Sequence, residues 1–485
     1  MAGNNRYDLV IIGGGSAAFA AAIKANLFSV KTAMIERNVL GGTCVNVGCV
    51  PSKNLLGAGE LLHSSKHPMY PSISSCQSDF DFSKAIADKE HLIKGLRKQK
   101  YHDVLSGLDN VDLIDASVSF ISSKILRIDN GDAGSSNKIE ADKFIIATGS
   151  SPSLPPTKGI DGVDHLTNKD ALSLKEKPSS MIVVGGGPLG LEFAQMYSRF
   201  GTRVTVLQRS QRLIPDHEPE ISEALTHYLS EEEIEIITGV DIKEVYQKNG
   251  IKFITASGNN EKKKNEKAQT QTFEAEQLLM ATGRRPNTTD LHLENAGVKV
   301  KKNNGAIIVD SEMHTSAAHV WAGGDVVGKP MLETLAAKEG ATAAENALTG
   351  SHNRIDFLSV PSAIFTSPQV ATVGLTEVKM MEEYGYCSCK TLEMKEVPKA
   401  LTVNQTEGLI KMAVDPKNDN RIVGVHILAN IAAEMVHEAV MAIKFRLTID
   451  DIIDTVHVFP TLTEAIKLVA TSFKQDVSKL SCCAE

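Results

Sequence analysis

Tyr7-Asp8-Leu9-Val10-Ile11-Ile12-Gly13-Gly14-Gly15-Ser16-Ala17-Ala18 is a β-branched run that stops at a glycine cluster and passes straight into an alanine-rich segment. Glycines at such a junction let the chain turn sharply and let backbone N–H groups at a helix start approach a pyrophosphate. Lys31-Thr32-Ala33-Met34-Ile35-Glu36 reads as the next strand and completes a βαβ opening. Glu36 lies 36 − 15 = 21 residues after Gly15, the distance at which a carboxylate accepts hydrogen bonds from ribose hydroxyls. Gly13, Gly15, Ala18 and Glu36 are therefore candidate dinucleotide-binding residues.

The pattern recurs as Met181-Ile182-Val183-Val184, then Gly185-Gly186-Gly187 with Gly190 beyond, a helix through Tyr197, and the strand Val204-Thr205-Val206-Leu207. Here the position 208 − 187 = 21 residues on is Gln208, so no carboxylate holds a 2′-hydroxyl or repels a 2′-phosphate. Arg209 and Arg212 follow at once and can pair with that phosphate. Gly185, Gly187, Gly190, Gln208, Arg209 and Arg212 thus point to NADPH. Two apolar strands stopped by Thr-Gly, at Thr148-Gly149 and Thr282-Gly283, mark crossings between domains.

A chain of 485 residues suits about two to four domains. With 42% hydrophobic and 23% charged residues it can bury a core. Its formal charge of −8 supplies no electrostatic footprint for nucleic acid. No apolar run reaches the roughly 18–20 residues of a membrane span, and the polar start Met1–Tyr7 has no signal-peptide pattern. A cytoplasmic protein without membrane or nucleic-acid partners is expected. Seven cysteines in such a chain are not a disulfide framework, and their placement points to redox or soft-metal chemistry. Beyond Ile355, strands alternate with helical runs and no glycine fingerprint appears, as in a separate α+β domain.

Gly41-Gly42-Thr43-Cys44-Val45-Asn46-Val47-Gly48-Cys49-Val50-Pro51-Ser52-Lys53 is the stretch richest in chemistry. On an ideal helix five residues turn about 500°, which leaves the two thiols about 140° apart. A bond between Cys44 and Cys49 needs a distorted turn, and Gly48 permits one. A thiol near a helix start is more acidic, which favours the reactive thiolate. No second Cys or His pair stands at finger-like spacing, so a zinc site is not expected. Cys76 lies in a polar loop, and Cys387-Ser388-Cys389 is read as a strand segment with its thiols on opposite faces, a structural pair.

Together with Ala322-Gly323-Gly324-Asp325, these motifs resemble the FAD-dependent pyridine nucleotide–disulfide oxidoreductases over nearly the whole chain. The resemblance implies an α/β fold with two Rossmann-like dinucleotide-binding domains and an α+β carboxy-terminal dimerisation domain. It implies FAD on residues 1–150 and 284–354, NADPH on 151–283, and a homodimer formed through 355–485, which ends in a Cys-Cys tail. Gly42, Thr43, Lys53, Thr148, Gly149 and Gly283 would join the fingerprint residues around the cofactors, and Asp325 would bind the FAD ribitol. Lys53 and Glu192 would form an ion pair beside flavin and nicotinamide. Cys49 would be the thiolate facing the flavin, and Cys44 the sulfur that exchanges with substrate.

The carboxy terminus narrows the resemblance. Members that handle disulfides are similar at a His-x-His-Pro-Thr stretch, where the His before Pro, steadied by a Glu, protonates a departing thiolate. This chain reads His457-Val458-Phe459-Pro460-Thr461-Leu462-Thr463-Glu464, and a phenyl ring cannot transfer protons. His457 stands two residues away, about 6–7 Å along an extended segment. Adjacent Cys482 and Cys483 near the end make, as thiolates, a mobile soft-metal clamp. These features resemble the catalytic core of the mercuric reductases. That resemblance implies that thiol-bound Hg(II) is caught by Cys482 and Cys483 of one subunit, passed to Cys44 and Cys49 of the other, and reduced to Hg(0) with electrons from NADPH. His165 and Thr461 depart from that family, where tyrosines are common. The alternatives are a thioredoxin-reductase-like or dihydrolipoamide-dehydrogenase-like disulfide oxidoreductase, and a flavoprotein that only sequesters metal.

Overall fold

The computed structural model of the chain describes residues 6–76, 79–129, 137–258 and 270–481, so the expected metal ligands Cys482 and Cys483 lie outside the described residues. The chain forms two compact units. The first comprises Met1–Pro51, Ala87–Ser153 and Gly283–Ile355, and the second Ser52–Ile86, Leu154–Thr282 and Asp356–Glu485.

The first unit is built on a parallel sheet, with strands in the order Val111–Asp115, Thr32–Glu36, Arg6–Ile12, Asn137–Ile146 and Val320–Ala322. Ser117–Ser122 and Ile125–Asp129 add an antiparallel hairpin. Leu9, Val10 and Ile11 are fully buried, because a parallel strand covered on both faces carries apolar side chains without alternation. One cover is the helix Ser16–Leu27, whose Ala17, Ala18, Ala21, Ala22 and Ala25 are buried. The helix Glu333–Thr349 packs on it. At Gly340 a Cβ would stand 2.0 Å from the Ala17 carbonyl oxygen, so the two backbones approach as only small residues allow. Within the sheet Phe120 and Phe144 meet edge to face, centroids 5.1 Å apart, a geometry that adds about 0.5–1.5 kcal/mol to simple burial.

In the second unit four parallel strands lie in the order Glu235–Ile237, Arg203–Leu207, Ser180–Val184 and Gln277–Met280. The helix Pro188–Arg199 follows the second glycine turn, and its Phe193 and Tyr197 share a core with Leu55, Leu56, Leu62 and Phe82. Val240–Lys248, Ile251–Gly258 and Thr270–Ala275 form an antiparallel three-stranded sheet. The carboxy-terminal sheet is antiparallel throughout, ordered Ser362–Ile364, Gln369–Gly374, Arg421–Ala429, Leu409–Asp415 and Cys389–Glu393. Its core is closed by the helices Ala432–Lys444 and Ala465–Thr471. Two Rossmann-like units and an α+β carboxy-terminal part are thus present, the class expected from the sequence.

One expectation is corrected. Cys387 and Cys389 do not face opposite sides: residues two apart on an extended chain share a face, and the Glu377 carboxylate acts on both thiols. Among the described residues no helix is long and apolar enough to cross a membrane.

Candidate active site

In the first unit the strand-to-helix turn is glycine where nothing larger fits. Gly13, at φ 127°, would carry a Cβ 2.2 Å from the Ala147 carbonyl oxygen, and its N–H donates to Ile35 O at 2.8 Å. Gly15 caps the helix Ser16–Leu27, which has no side-chain cap and no acidic residue in its first turn. That helix start therefore presents backbone N–H groups and the positive end of the helix dipole. Ala18 is buried under the turn. Glu36 ends its strand, and its Oε1 accepts the Asn38 N–H at 2.8 Å. The Gly41 N–H donates to Gly14 O at 2.8 Å, and a Cβ on Gly42 would come within 2.8 Å of Gly15 Cα. The thiol-bearing segment is thereby strapped to the glycine turn.

The two cysteines sit on separate helices. Thr43 and Cys44 belong to Gly42–Val47, while Cys49 begins Cys49–Lys66, with Gly48 between them outside both. A Cβ on Gly48 would press 2.8 Å from the Thr43 carbonyl oxygen, so the turn requires glycine. Neither cysteine is in a disulfide; Cys44 is half-buried and Cys49 exposed. The Cys44 thiol is raised far above its ordinary value, first by its hydrogen bond with Cys49, then by burial, with the Glu333 carboxylate adding. Glu333, at the start of its helix, also contacts Ser16 Oγ. The Tyr101 hydroxyl is pushed up to about 12, first by burial and then by Glu333 and Cys44. Glu333, Ser16 and Tyr101 escaped sequence reasoning, since no local pattern links residue 333 to residue 44.

A second cluster joins Thr43 to Asp325. Arg284 donates to Thr43 Oγ1 at 3.3 Å and to Ser150 Oγ at 2.7 Å, and Ser150 donates to Asp325 Oδ2 at 2.5 Å. Asn287 clamps the crossing: Thr148 Oγ1 donates to Asn287 O at 2.8 Å and the Asn287 N–H to Gly149 O at 3.0 Å. Gly283, at φ 109°, accepts the Ser153 N–H at 2.9 Å. Arg284 and Ser150 were missed, although Arg284 directly follows the second Thr-Gly.

In the second unit a Cβ on Gly190 would stand 1.9 Å from Gly185 O, whereas around one on Gly187 nothing lies within 4 Å. Gly187 caps Pro188–Arg199, again without acidic residues in the first turn. Gln208 Oε1 accepts the Gly186 N–H at 3.0 Å, so this buried amide braces the turn. Arg209 is exposed, while Arg212 is turned onto its own backbone, donating to Pro215 O at 2.9 Å and His217 O at 3.3 Å. Lys53 Nζ meets Glu192 Oε2 at 2.7 Å, and Glu192 Oε1 accepts the Phe365 N–H at 2.9 Å. Lys53 also lies 4.6 Å over the Phe365 ring.

At the carboxy-terminal end Phe459 is exposed. His457 binds Glu438 Oε1 through Nε2 at 2.8 Å and pairs its Nδ1 with Thr455 O at 2.9 Å. Among the described residues Glu464 keeps a buried Oε2 without a hydrogen-bond partner, and burial raises its carboxyl. His165 pairs its Nδ1 with Val163 O at 3.0 Å, and Thr461 Oγ1 donates to Val458 O at 3.0 Å.

Both glycine turns fit a dinucleotide. Backbone fills the space a side chain would need at Gly13 and Gly190, while Gly187 and Gly15 leave room before the helix starts, with Gly42 Cα, 3.6 Å from a Cβ on Gly15, as its one neighbour within 4 Å. The family model described as pyridine nucleotide-disulphide oxidoreductase matches residues 7–340, and its dimerisation domain matches 360–470. A mercuric reductase of Lysinibacillus sphaericus is 39% identical over 482 residues, covering 99% of this chain and 85% of that one. One from Staphylococcus aureus is 40% identical over 480 residues, covering 99% and 84%. The Cu(II) complex of the HOCl-induced flavoprotein disulfide reductase RclA from Escherichia coli superposes with a TM-score of 0.84 at 27% identity, covering 97% of this chain and 100% of that one. Proteins of this family use FAD and NADPH. Glycine turns, paired thiols and full-length similarity together make this chain a member of the pyridine nucleotide-disulphide oxidoreductases, within the mercuric reductase family.

Proposed function

We propose that the chain reduces Hg(II), presented as thiol complexes, to Hg(0) with electrons from NADPH. The observation that carries this is the Cys44–Cys49 pair, two cysteines outside any disulfide on adjacent helices, strapped to a dinucleotide-type turn. FAD, when bound, supplies the two-electron transfer between NADPH and that pair. Residues 1–150 and 284–354 hold FAD, with Glu36 and Asp325 taking ribose and ribitol hydroxyls. Residues 151–283 hold NADPH, with exposed Arg209 on the 2′-phosphate and Lys53 beside the nicotinamide. Residues 355–485 form the homodimer.

Hg(II) is soft and moves between thiols by exchange, so Cys482 and Cys483 of one subunit take it from two small thiols and Cys44 and Cys49 of the other receive it. The balance is Hg(SR)2 + NADPH + H+ giving Hg(0) + NADP+ + 2 RSH. No step depends on a proton donor to a departing protein thiol, which Phe459 cannot be and which leaves Glu464 Oε2 without a hydrogen-bond partner among the described residues. Thiols that must stay reduced place the enzyme in the cytoplasm.

The test is anaerobic NADPH oxidation by the purified holoenzyme with Hg(II) and excess small thiol, trapping volatile mercury in the headspace. One Hg(0) per NADPH is expected, and Cys482→Ala with Cys483→Ala slows turnover while leaving flavin reduction intact. NADPH consumed by disulfides but untouched by Hg(II) would sink the proposal.

A further inference from the structure

A second pair of thiols lies in the carboxy-terminal sheet. The strand Cys389–Glu393 is the outermost of the five and among the described residues pairs only with Leu409–Asp415. The pairing continues just before it, where the Val414 N–H donates to Ser388 O at 2.9 Å. The approach is pinned at Tyr386, whose hydroxyl donates to Asp415 Oδ1 at 2.6 Å while Lys417 sits 4.1 Å over its ring. Cys387 is exposed and its Sγ lies 3.4 Å from Glu377 Oε1. Cys389 is half-buried, packed against the apolar cluster of Leu375, Met380, Ala413 and Val423.

The surroundings favour a cation. Glu377 also accepts Lys411 Nζ at 2.6 Å, and that one lysine is shared with Glu218 at 3.1 Å and Glu220 at 2.9 Å. Three carboxylates around one ammonium leave net negative charge behind Cys387. The thiols themselves are held protonated: Cys389 is pushed up to about 12 by burial first and Glu377 next, and Cys387 is raised by burial and Glu377. Protonated thiols resist oxidation, which requires the thiolate, whereas on metal exchange each gives its proton to the departing small thiol. A disulfide is also awkward here. Residues two apart on extended chain have Cα atoms about 6.6 Å apart, at the far limit of what an S–S bond spans. A metal bridging two sulfurs is longer, roughly 4.6 Å from sulfur to sulfur for metal–sulfur bonds of about 2.3 Å.

We propose that Cys387 and Cys389 form a second two-thiol site that takes Hg(II) from its small-thiol complexes, with exposed Cys387 exchanging first and Cys389 closing the bridge against its apolar floor. The site rests on the reading of Hg(II) as the substrate. The exchange is Hg(SR)2 + Cys387–SH + Cys389–SH giving Cys387–S–Hg–S–Cys389 + 2 RSH. Two Hg–S bonds break and two form, both protein protons leave on the small thiols, and no electrons move. Among the described residues no group of three Cys, His, Asp or Glu is placed to hold a metal ion, and a two-thiol bridge needs none.

The holoenzyme carrying Cys44→Ser, Cys49→Ser, Cys482→Ser and Cys483→Ser is exposed, without NADPH, to Hg(II) in excess cysteine, then desalted and its mercury measured. About one Hg per chain is expected, falling to background when Cys387→Ser and Cys389→Ser are added. Cys387→Ser alone, at an exposed position that the fold tolerates, gives the same loss, because a single thiol is outcompeted by free cysteine. Background mercury before these changes, or retention unaltered by them, overturns the site. The unmodified enzyme is assayed in parallel for volatile mercury. If it makes Hg(0) and the pair retains none, the site alone fails. If the pair retains Hg(II) and no Hg(0) forms, the reductase reading fails and the site stands.

Discussion

Glu339 is 3% exposed, accepts the Gly324 N–H at 2.6 Å, and is pushed up to about 7, by burial first and by the charge of Asp325 as well. At pH below its ordinary 4.5 the carboxyl is protonated in folded and unfolded chains alike, and stability is unaffected. As pH rises from there through 7 the unfolded chain releases its proton first, so the folded state is progressively penalised, by up to roughly 3 kcal/mol above pH 7. Glu339→Gln, which still accepts the Gly324 N–H, should therefore gain stability over the parent as pH rises. Urea midpoints at pH 5 and pH 8 measure this, and a difference that stays constant between the two would refute it. A residue such as Glu339 is illegible in the sequence, where it is one acidic position on an alanine-rich helix. Its raised proton affinity comes from burial first and from the Asp325 carboxylate, against the opposing pull of the Gly324 amide, all of them set beside it by tertiary structure.

The glycine turns were legible because strand, turn and helix follow one another in the chain, although the carbonyls that forbid a side chain at Gly13 and Gly185, those of Ala147 and Ala281, lie far along the sequence. The Cys44–Gly48–Cys49 break was legible for the same reason, since a thiol spacing that an ideal helix cannot close demands an interruption at the one residue lacking a side chain. Arg284 bridging Thr43 to Ser150, and Glu333 beside Cys44, were not, for their partners lie hundreds of residues away and carry no periodic signal. Between these cases stands Lys53–Glu192, which neighbouring motifs marked but only packing explains. Glu192 holds both Lys53 and the Phe365 N–H from the helix Pro188–Arg199, its own side chain 8% exposed against 31% for Lys53. Glu192→Ala strands a backbone donor and a cation and should cost about 1–3 kcal/mol, discounted for the wetter lysine. Lys53→Met should cost less. Equal losses in chemical denaturation would show that Glu192 acts only through Lys53.

Across the whole molecule the segment matching the dimerisation family leaves bulky apolar side chains in solvent: Phe445 is 60% exposed, Val456 88% and Val458 77%. Exposed apolar side chains in a segment that matches a dimerisation domain are expected to be covered by association, and sedimentation should give the mass of a dimer. Phe445→Asp with Val458→Asp should shift it to the monomer, and an unchanged dimer would move the interface elsewhere. The fold class was readable from the order of motifs, but the cover of the first sheet was not, because it is supplied from both ends of a long stretch of chain. Gly340 settles against Ala17 with no side chain between them, and Val320–Ala322 completes a sheet begun at Arg6. A nascent chain emerging from the ribosome therefore exposes the alanine face of its first helix until the segment around residue 340 has been translated. One of the earliest-made elements thus waits for the last part of its packing, and any truncation upstream of that point leaves it only the sheet to fold against.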